Sequence, residues 1–559
     1  MSAQSRSIVD ADRARAYRAE GWWADGTIAD AVVGHASLRP DEPAYLTPSG
    51  AVTWSQVERS SSVVAASLAS LGVGPGDRVA VWFADVPMLH VAFIGVERAG
   101  ATIVGIGARA GRREVAHVLG RTGASVILTA PTHAGRDAAD AVAECIPEGQ
   151  AIRHLVLDGD GTTVEPSSGG SALDVGPLAA SELEARRQGP DALYLINSTS
   201  GTTGLPKCVV HTQNRWHYFH TQAVANGDLS GADVFLGAVP APFGFGLWTS
   251  HVTPLLLGAP TVLLDRFSPA AAFEAIEEHG VTVLCCVSTQ FIMMLADPEL
   301  GNRDLTSLRA MFTGGEAVPY ERALEFERST GTTILQFYGS NETGLLSGTT
   351  LQDTPERRLR TAGRIVPEMQ VRLFEGDRDV TSTGRGQPAC RGPATSVGYL
   401  DDDAANAQLF TADGWMLMGD ICEIDDDGYL TVVGRTSDII IRGGKNISAP
   451  QVEADVATHP AVAHVAVVSM PDPVFGERVC AYVELIADAD LDLAGLTDHL
   501  ASHGVSKELY PERLIVLDEL PRSSGAKVAK GELREDIRRR LEAEAAGAPT
   551  DTDEPVGAH

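Results

Sequence analysis

Short apolar runs alternate with segments in which apolar residues recur at helical spacing over most of the chain. The run from Arg78 to Phe83, for example, is followed by a helical pattern from Pro87 to Ala99. Further strand-like runs lie at 100–106, 124–128, 191–196, 261–264, 282–287 and 308–312. Strands separated by ten or more residues of helical pattern are typical of βαβ units. The pattern therefore predicts an α/β fold with largely parallel sheets.

The pattern of apolar and polar residues changes twice towards the C-terminus. Short apolar runs divided by Gly and Asp turns fill residues 371–433, which predicts a small antiparallel or barrel-like module. A new pattern of strands and helices begins after Gly434 and ends in a helix from Lys530 to Ala546. We therefore expect a domain of residues 1–436, a second domain of residues 437–545, and a disordered tail at 546–559.

Composition narrows the choice of function. The chain has 559 residues, with 44 Lys and Arg against 74 Asp and Glu, and a net charge of −30. This acid excess argues against coating nucleic acid or an anionic membrane. The longest apolar stretch, Val91–Gly107, is interrupted by Glu97 and Arg98, so no membrane span is expected. Seven scattered cysteines without a Cys-x-x-Cys pair predict reduced thiols in the cytoplasm.

A loop rich in Gly, Ser and Thr follows the apolar run at 193–196 and ends in Pro206-Lys207. Its glycines let the backbone present N–H groups, its hydroxyls add donors, and its lysine adds a positive charge, which together suit a polyphosphate. It lacks the Gly-Lys-Ser/Thr of a Walker A loop. A flexible linker is the alternative interpretation. The candidate phosphate ligands are Ser198, Thr199, Ser200, Gly201, Thr202, Thr203 and Lys207.

This loop resembles the phosphate loop of the adenylate-forming superfamily, which includes acyl-CoA synthetases and aryl-acid AMP ligases. Four further segments resemble the other motifs of that superfamily, in the same order: 338–343, 415–420, 434–447 and 521–527. The opening segment 17–23 is similar to the start of medium-chain and cyclic-acid CoA ligases and of siderophore AMP ligases. The resemblance covers roughly residues 10 to 540.

The resemblance implies a fold, cofactors and a reaction. The expected fold is a large N-terminal domain of two parallel-rich αβ sheets and a small β-barrel-like module, followed by a small mobile α+β domain. The expected cofactors are ATP, Mg²⁺ and coenzyme A. A carboxylate attacks the α-phosphate of ATP to give an acyl-adenylate, and a thiol then displaces AMP to give a thioester. Positive charge is needed where the two anions meet.

The resemblance also assigns roles to single residues. Lys527 is the catalytic lysine that bridges the carboxylate and the α-phosphate, and Lys207 holds the β- and γ-phosphates. Glu342 is expected to bind Mg²⁺, which prefers oxygen ligands. Asp420 is expected to accept both ribose hydroxyls. The remaining ATP contacts that it implies are Gly315, Glu316, Tyr338, Gly339, Asn341 and Arg435.

The acid is expected to bind beside Pro240–Trp248 and Trp216. Where salicylate and dihydroxybenzoate ligases place an Asn that reads the ring hydroxyl, this chain has Gly244. We therefore expect a bulky or medium-length hydrophobic monocarboxylic acid, alicyclic or fatty; the alternative is that the aromatic residues are plain core. The candidate pocket residues are Trp216, Phe243, Gly244, Phe245, Gly246, Trp248, Gly314 and Ser340.

Four positions depart from the superfamily pattern: Asn341, Met418, Ser437 and Ala526. Ser437 occupies the hinge about which the C-terminal domain swings, and the loop that then lines the coenzyme A channel contains Gly443, Gly444 and Lys445.

Three functions stay open at this point: an acid–CoA ligase, an adenylating enzyme that hands its product to a carrier protein or partner enzyme, and a non-catalytic nucleotide- or acyl-CoA-binding protein. We expect a cytoplasmic monomer or homodimer with no nucleic-acid partner.

Overall fold

A computed structural model describes residues 10–157, 164–166, 178–198, 206–315, 318–435, 438–442, 445–487, 489–503, 505–522 and 528–545. The strands of the first three quarters of the chain are β1 (Pro43–Thr47), β2 (Gly50–Thr53), β3 (Arg78–Trp82), β4 (Thr102–Ile106), β5 (Val126–Thr129), β6 (Thr132–His133), β7 (Arg136–Asp137), β8 (Arg153–Leu157), β9 (Val164–Pro166), β10 (Leu195–Ser198), β11 (Cys208–His211), β12 (Phe235–Gly237), β13 (Thr261–Leu263), β14 (Val283–Cys285), β15 (Ala310–Gly314), β16 (Thr333–Ser340), β17 (Gly344–Gly348), β18 (Arg364–Ile365), β19 (Gln370–Glu375), β20 (Arg378–Asp379), β21 (Arg385–Arg391), β22 (Gly398–Tyr399), β23 (Met416–Leu417), β24 (Asp420–Ile424) and β25 (Leu430–Arg435). The strands that follow are β26 (Ile439–Arg442), β27 (Lys445–Ser448), β28 (Val462–Asp472), β29 (Gly476–Leu485) and β30 (Arg513–Val516).

The described part of the chain also contains eighteen α-helices. They are α1 (Ala11–Ala19), α2 (Ile28–Leu38), α3 (Trp54–Ser70), α4 (Pro87–Arg98), α5 (Arg112–Thr122), α6 (Ala138–Ala143), α7 (Ala180–Arg186), α8 (Gln213–Gly227), α9 (Gly244–Leu247), α10 (Thr253–Leu257), α11 (Pro269–His279), α12 (Ser288–Ala296), α13 (Tyr320–Thr330), α14 (Pro355–Arg360), α15 (Asp403–Leu409), α16 (Ala449–Val456), α17 (Leu493–Ser502) and α18 (Lys530–Ala545).

Two large sheets with parallel centres form the main body, as the alternating pattern predicts. The first has the strand order β18-β17-β16-β15-β14-β12-β13-β1-β2, and the second has the order β22-β11-β10-β4-β3-β5-β8-β9. Pairing is parallel from β1 through β13, β12, β14 and β15 to β16, and from β10 through β4, β3 and β5 to β8. The carboxyl ends of parallel strands share one edge, where ligands of such sheets bind. The α/β fold class is confirmed.

Helix α4 is buried along its length, which explains its unbroken apolar character. Arg98 forms an ion pair of 2.9 Å with Glu58, and Oε1 of Glu97 accepts a hydrogen bond from the Ala29 amide. Burial raises the pKa of Glu97 above its ordinary value. No helix among the described residues is long and apolar enough to cross a membrane.

The strands after residue 370 form two smaller sheets. The first is wholly antiparallel, with the order β20-β19-β21-β24-β25 and β23 beside β21, in agreement with the predicted small module. The second has the order β27-β26-β29-β28, and β30 lies parallel to β29. Helices α16 and α17 bury Val452 and Leu496 in one core of this sheet, and α18 buries Leu533 and Ile537 in another. The domain limits near residue 436 stay a prediction.

Several predicted elements are displaced by a few residues. The strand expected at 191–196 is observed as β10, because Ala192 donates to the Gly189 carbonyl in a turn that delays the strand. The strand expected at 308–312 is likewise displaced and is observed as β15, at Ala310–Gly314. All seven cysteines are buried and free.

Candidate active site

Three of the predicted site segments meet at the carboxyl ends of the parallel strands. Ser198 is the last residue of β10, Gly314 is the last of β15, and Ser340 is the last of β16. At Gly314 a Cβ atom would lie 2.5 Å from the Phe337 carbonyl oxygen, so only glycine fits. Gly315 follows with a φ of +80°, a conformation that glycine adopts without strain. The topology therefore gathers residues that lie far apart in the sequence.

Two predicted nucleoside contacts touch each other. The Tyr338 hydroxyl, on β16, donates a hydrogen bond of 2.6 Å to Oδ2 of Asp420, at the start of β24. Burial raises the pKa of Tyr338 well above its ordinary value, and the nearby Cys422 and Asp420 add to the effect, so the hydroxyl stays protonated. Arg435 lies opposite Asp420 in the backbone register of β24 and β25. The small module is thereby joined to the first sheet at the predicted ribose position.

Asn341 departs from the superfamily pattern, and its amide has a specific partner. Its Nδ2 donates a hydrogen bond of 2.6 Å to Oδ1 of Asn197, and Asn197 Nδ2 contacts Asn341 Oδ1 at 3.3 Å and the Pro242 carbonyl at 2.9 Å. An amide carries its donor and its acceptor on separate atoms, so two amides can form a reciprocal pair of hydrogen bonds. This pair connects the ends of β10 and β16. Sequence reasoning missed Asn197, which directly precedes the phosphate loop.

A buried arginine contacts the backbone of the segment that contains Asn341 and Glu342. Arg215, in α8, is 2% exposed and donates hydrogen bonds of 2.8 Å to the carbonyls of Asn341 and Ala394. It also contacts His211 and lies 3.4 Å from the Glu342 carbonyl. Burial lowers the pKa of Arg215 to about 9, so the guanidinium keeps its charge at neutral pH. Sequence reasoning missed Arg215; its one signal is a cation that directly precedes the aromatic Trp216 in α8.

Glu342 and Lys207 lie against one tyrosine. The Tyr399 hydroxyl donates a hydrogen bond of 2.8 Å to Oε1 of Glu342, and the Lys207 ammonium is 4.9 Å from the centre of the Tyr399 ring. Within the described ranges, no group of three or more His, Cys, Asp or Glu side chains is arranged to hold a metal ion. Glu342 still fits Mg²⁺, because this ion is usually bound by one or two carboxylates together with substrate phosphates.

The predicted acyl pocket lies beside this cluster. A Cβ at Gly244 would make ordinary contacts with Asn341 Oδ1 at 3.4 Å and Trp216 Cη2 at 3.6 Å. The Phe245 and Phe337 rings meet edge to face with centres 4.9 Å apart, and Trp248 lies 5.5 Å from Phe337.

The other pocket residues form its frame. Phe243 packs on Gly107, and a Cβ at Gly246 would lie 2.3 Å from the Pro240 carbonyl. Trp248 begins a π-helical turn that ends at Val252, a distortion common at functional sites. Behind the aromatic wall is a small gap with a cavity volume of about 10 Å³. Its lining residues are Phe219, Ala223, Asn226, Trp248, Phe312, Gln336, Phe337 and Leu345.

Some predicted site residues lie outside the described ranges. These are Thr199, Ser200, Gly201, Thr202, Thr203, Glu316, Ser437, Gly443, Gly444 and Lys527. For Arg435 and Lys445 the structure describes the backbone, in β25 and β27. Their roles stay predictions from the resemblance.

Comparison with known proteins agrees with this geometry. Residues 34–400 match the family model of the AMP-binding enzymes, and residues 451–527 match the model of the AMP-binding enzyme C-terminal domain. A medium-chain fatty-acid–CoA ligase of Escherichia coli is 31% identical over 95% of this chain and 94% of its own length. A salicyl-AMP ligase / salicyl-S-ArCP synthetase of Mycobacterium tuberculosis is 32% identical over 93% of this chain and 92% of its own length.

A solved structure has the same architecture. The o-succinylbenzoate CoA synthetase of Bacillus subtilis, in complex with its acyl-adenylate intermediate, superposes with a TM-score of 0.76. The match covers 90% of this chain and 97% of that chain at 25% identity.

The fold and the site thus define an adenylate-forming acid ligase, and the chain belongs to the family of AMP-binding enzymes. This confirms the superfamily suggested by the motifs and the class of AMP-forming ligases. The expected cofactors are confirmed at the level of the family, whose CoA ligases use ATP, Mg²⁺ and coenzyme A.

Proposed function

We propose that this ligase activates a hydrophobic monocarboxylic acid, bulky and alicyclic or of medium chain length, and transfers the acyl group to coenzyme A. The observation that supports the acid class is the position of Gly244 between Trp216 and Asn341. Because glycine has no side chain, this position leaves space for the acid. The adjoining wall consists of the aromatic rings of Phe245, Trp248 and Phe337. Such a surface favours an apolar acid through its buried area.

A hydroxylated aryl acid would find no polar partner at this position. Glycine offers no side-chain donor or acceptor where hydroxybenzoate ligases are expected to have an Asn. The nearest amide, that of Asn341, is already bonded to Asn197. A buried phenolic hydroxyl without a partner costs about 1–3 kcal/mol. Salicylate, named for the M. tuberculosis relative, is therefore expected to be a poor substrate here.

The adenylation step needs local positive charge. The carboxylate of the acid approaches the α-phosphate of ATP, and the carbon–oxygen–phosphorus link forms as pyrophosphate leaves. Lys207 and Glu342 both contact Tyr399. By resemblance, Lys207 would hold the β- and γ-phosphates, and Lys527 would neutralise the charge where the new bond forms. Mg²⁺, when bound, neutralises the departing phosphates. Tyr338 and Asp420 would hold the nucleoside, which keeps the α-phosphate in line with the acid.

A second candidate function is adenylation without coenzyme A transfer. Ser437 and Ala526 depart from the superfamily pattern at the hinge and beside the catalytic lysine. The printed name of the M. tuberculosis relative describes transfer to a carrier protein rather than to coenzyme A. In that case the thiol acceptor would be the pantetheine arm of a carrier protein.

One assay distinguishes these functions. The purified enzyme is incubated with ATP, Mg²⁺, coenzyme A and a panel of fatty, alicyclic and hydroxyaryl acids, and AMP, acyl-adenylate and thioester are measured by mass spectrometry. We expect thioester with apolar acids. Adenylate without thioester would support the second function, and a preference for salicylate would contradict the proposed acid class. A Lys207→Met variant, which keeps a similar volume without the charge, is the control for dependence on the phosphate site.

A further inference from the structure

Tyr399 lies between two opposite charges of the nucleotide site. Its hydroxyl bonds one oxygen of Glu342, and its ring faces the ammonium of Lys207. The Ser396 amide also donates a hydrogen bond of 2.7 Å to the Glu342 carbonyl. The segment 396–399 therefore contacts both the backbone and the side chain of Glu342.

Strand pairing fixes this arrangement. Tyr399 is paired with Val209 in the antiparallel register of β22 and β11, and the Leu400 amide donates to the Cys208 carbonyl at 2.8 Å. Residues two apart on a strand face the same side. Lys207 directly precedes β11, two residues before Val209, and its ammonium reaches the Tyr399 ring from there. The Tyr399 amide also donates a hydrogen bond of 2.8 Å to Oδ1 of Asn406.

We propose that Tyr399 is a positioning residue for nucleotide binding, which orients the Glu342 carboxylate towards Mg²⁺ and the Lys207 ammonium towards the phosphates. This inference rests on the proposed roles of Glu342 and Lys207. A hydrogen bond to Oε1 fixes the rotation of the carboxylate and leaves Oε2 available to the metal. The electron-rich ring face attracts the ammonium and restricts it to one side. Held by the same residue, the two charges also stay apart instead of pairing with each other.

Two variants separate the two contacts. Tyr399→Phe keeps the ring under Lys207 and removes the hydrogen bond to Glu342, whereas Tyr399→Leu removes both. Tyr429→Phe is a matched control, because the Tyr429 hydroxyl also donates to a carboxylate, that of Asp353, and its ring also lies under a cation, Arg357.

Binding is measured without the acid, so the result does not depend on the substrate class. Binding of Mn²⁺, as a probe for Mg²⁺, is followed by electron paramagnetic resonance in the presence of α,β-methylene-ATP. Binding of ATP in EDTA is followed by calorimetry. For Tyr399→Phe we expect about tenfold weaker Mn²⁺ binding, equivalent to about 1.4 kcal/mol, with nearly unchanged metal-free ATP binding. For Tyr399→Leu we expect metal-free ATP binding to weaken as well.

The outcomes decide the inference. Unchanged Mn²⁺ affinity in Tyr399→Phe, in a protein that melts at the wild-type temperature, would overturn it. Equal losses in Tyr429→Phe would also overturn it, because the effect would then be general destabilisation. If the wild-type enzyme itself bound neither ATP nor Mn²⁺, the proposed function would fail instead, and the wild-type exchange of pyrophosphate into ATP identifies that case.

Discussion

Enlarging residue 244 should shorten the acid that the enzyme accepts. The Cβ of an alanine at this position would contact Trp216 and Asn341 at ordinary van der Waals distances, so the backbone need not move. Gly244 is the first residue of α9, and it is not among the glycines with a positive φ. The larger side chain of leucine must then extend into the space that we assign to the acid. The substitution thus changes the pocket and leaves the fold in place.

The size of the effect follows from buried area. Each methylene group of an acid that is excluded from the pocket loses about 0.8 kcal/mol of transfer free energy. Gly244→Ala should exclude about one such group, which lowers kcat/KM about fourfold for acids that fill the pocket. Gly244→Leu should exclude about three groups, a loss of about 2.4 kcal/mol or roughly 60-fold. Short acids such as butyrate should be affected little by either change.

The measurement is exchange of pyrophosphate into ATP across a series of straight-chain and alicyclic acids. The diagnostic quantity is the ratio of kcat/KM for the largest and the smallest acid. Gly301→Leu is the control, because Gly301 is exposed and has open space around it. If Gly244→Leu kept the wild-type ratio, residue 244 would not face the acid, and the aromatic wall beside it would be plain core.

Three further predictions concern charged residues. Lys527→Ala should abolish pyrophosphate exchange while ATP binding by calorimetry is largely kept; unchanged exchange would refute its catalytic role. Arg215→Met should lower the free energy of unfolding, measured in urea, by about 2–3 kcal/mol, because two buried carbonyls lose their donor. It should also raise the KM for ATP. Wild-type values for both quantities would contradict the inference that Arg215 supports residues 341–342. At Asp438, burial would raise the pKa, but Lys530 and Arg534 outweigh it and lower the pKa. Its stabilisation is therefore complete above the ordinary carboxyl pKa near 4 and is lost as the pH falls below it. Asp438→Asn should cost about 3 kcal/mol at pH 7 and flatten the acid limb of the thermal denaturation profile between pH 3 and 7; an unchanged acid limb would count against this ion cluster.

The arrangement of the main sheets follows from local signals in the sequence. Runs such as Arg78–Trp82 and Ala310–Gly314 are apolar at nearly every position because both faces of a central parallel strand are covered by helices. The ends of these strands are less predictable, because turns such as the one at Gly189 depend on single hydrogen bonds. The order of the strands in a sheet cannot be read from any single segment of the sequence. The pairing of β10 with β4 is therefore known only from the folded structure.

The residues of the candidate site also differ in how far the sequence predicts them. The residues that we expect to touch ligand belong to motifs and could be named from the sequence, as Glu342 and Asp420 were. The residues that hold them have no motif of their own: Asn197, Arg215 and Tyr399 act through hydrogen bonds to partners more than fifty residues away. A sequence indicates which groups can do chemistry, whereas the positions of their supports depend on the complete fold.

The strongly acidic composition of the chain has a consequence for the binding of nucleotides. A net charge of −30 opposes the binding of ATP and other polyanions at long range. Salt limits that opposition to about 8 Å at physiological ionic strength. Buried charges are screened much less than exposed ones. Arg215, which contacts the carbonyls of Asn341 and Glu342, therefore adds positive potential beside the predicted phosphate site that the acidic surface does not cancel. We expect nucleotide binding to depend on such local cations and on the residues that hold them in place.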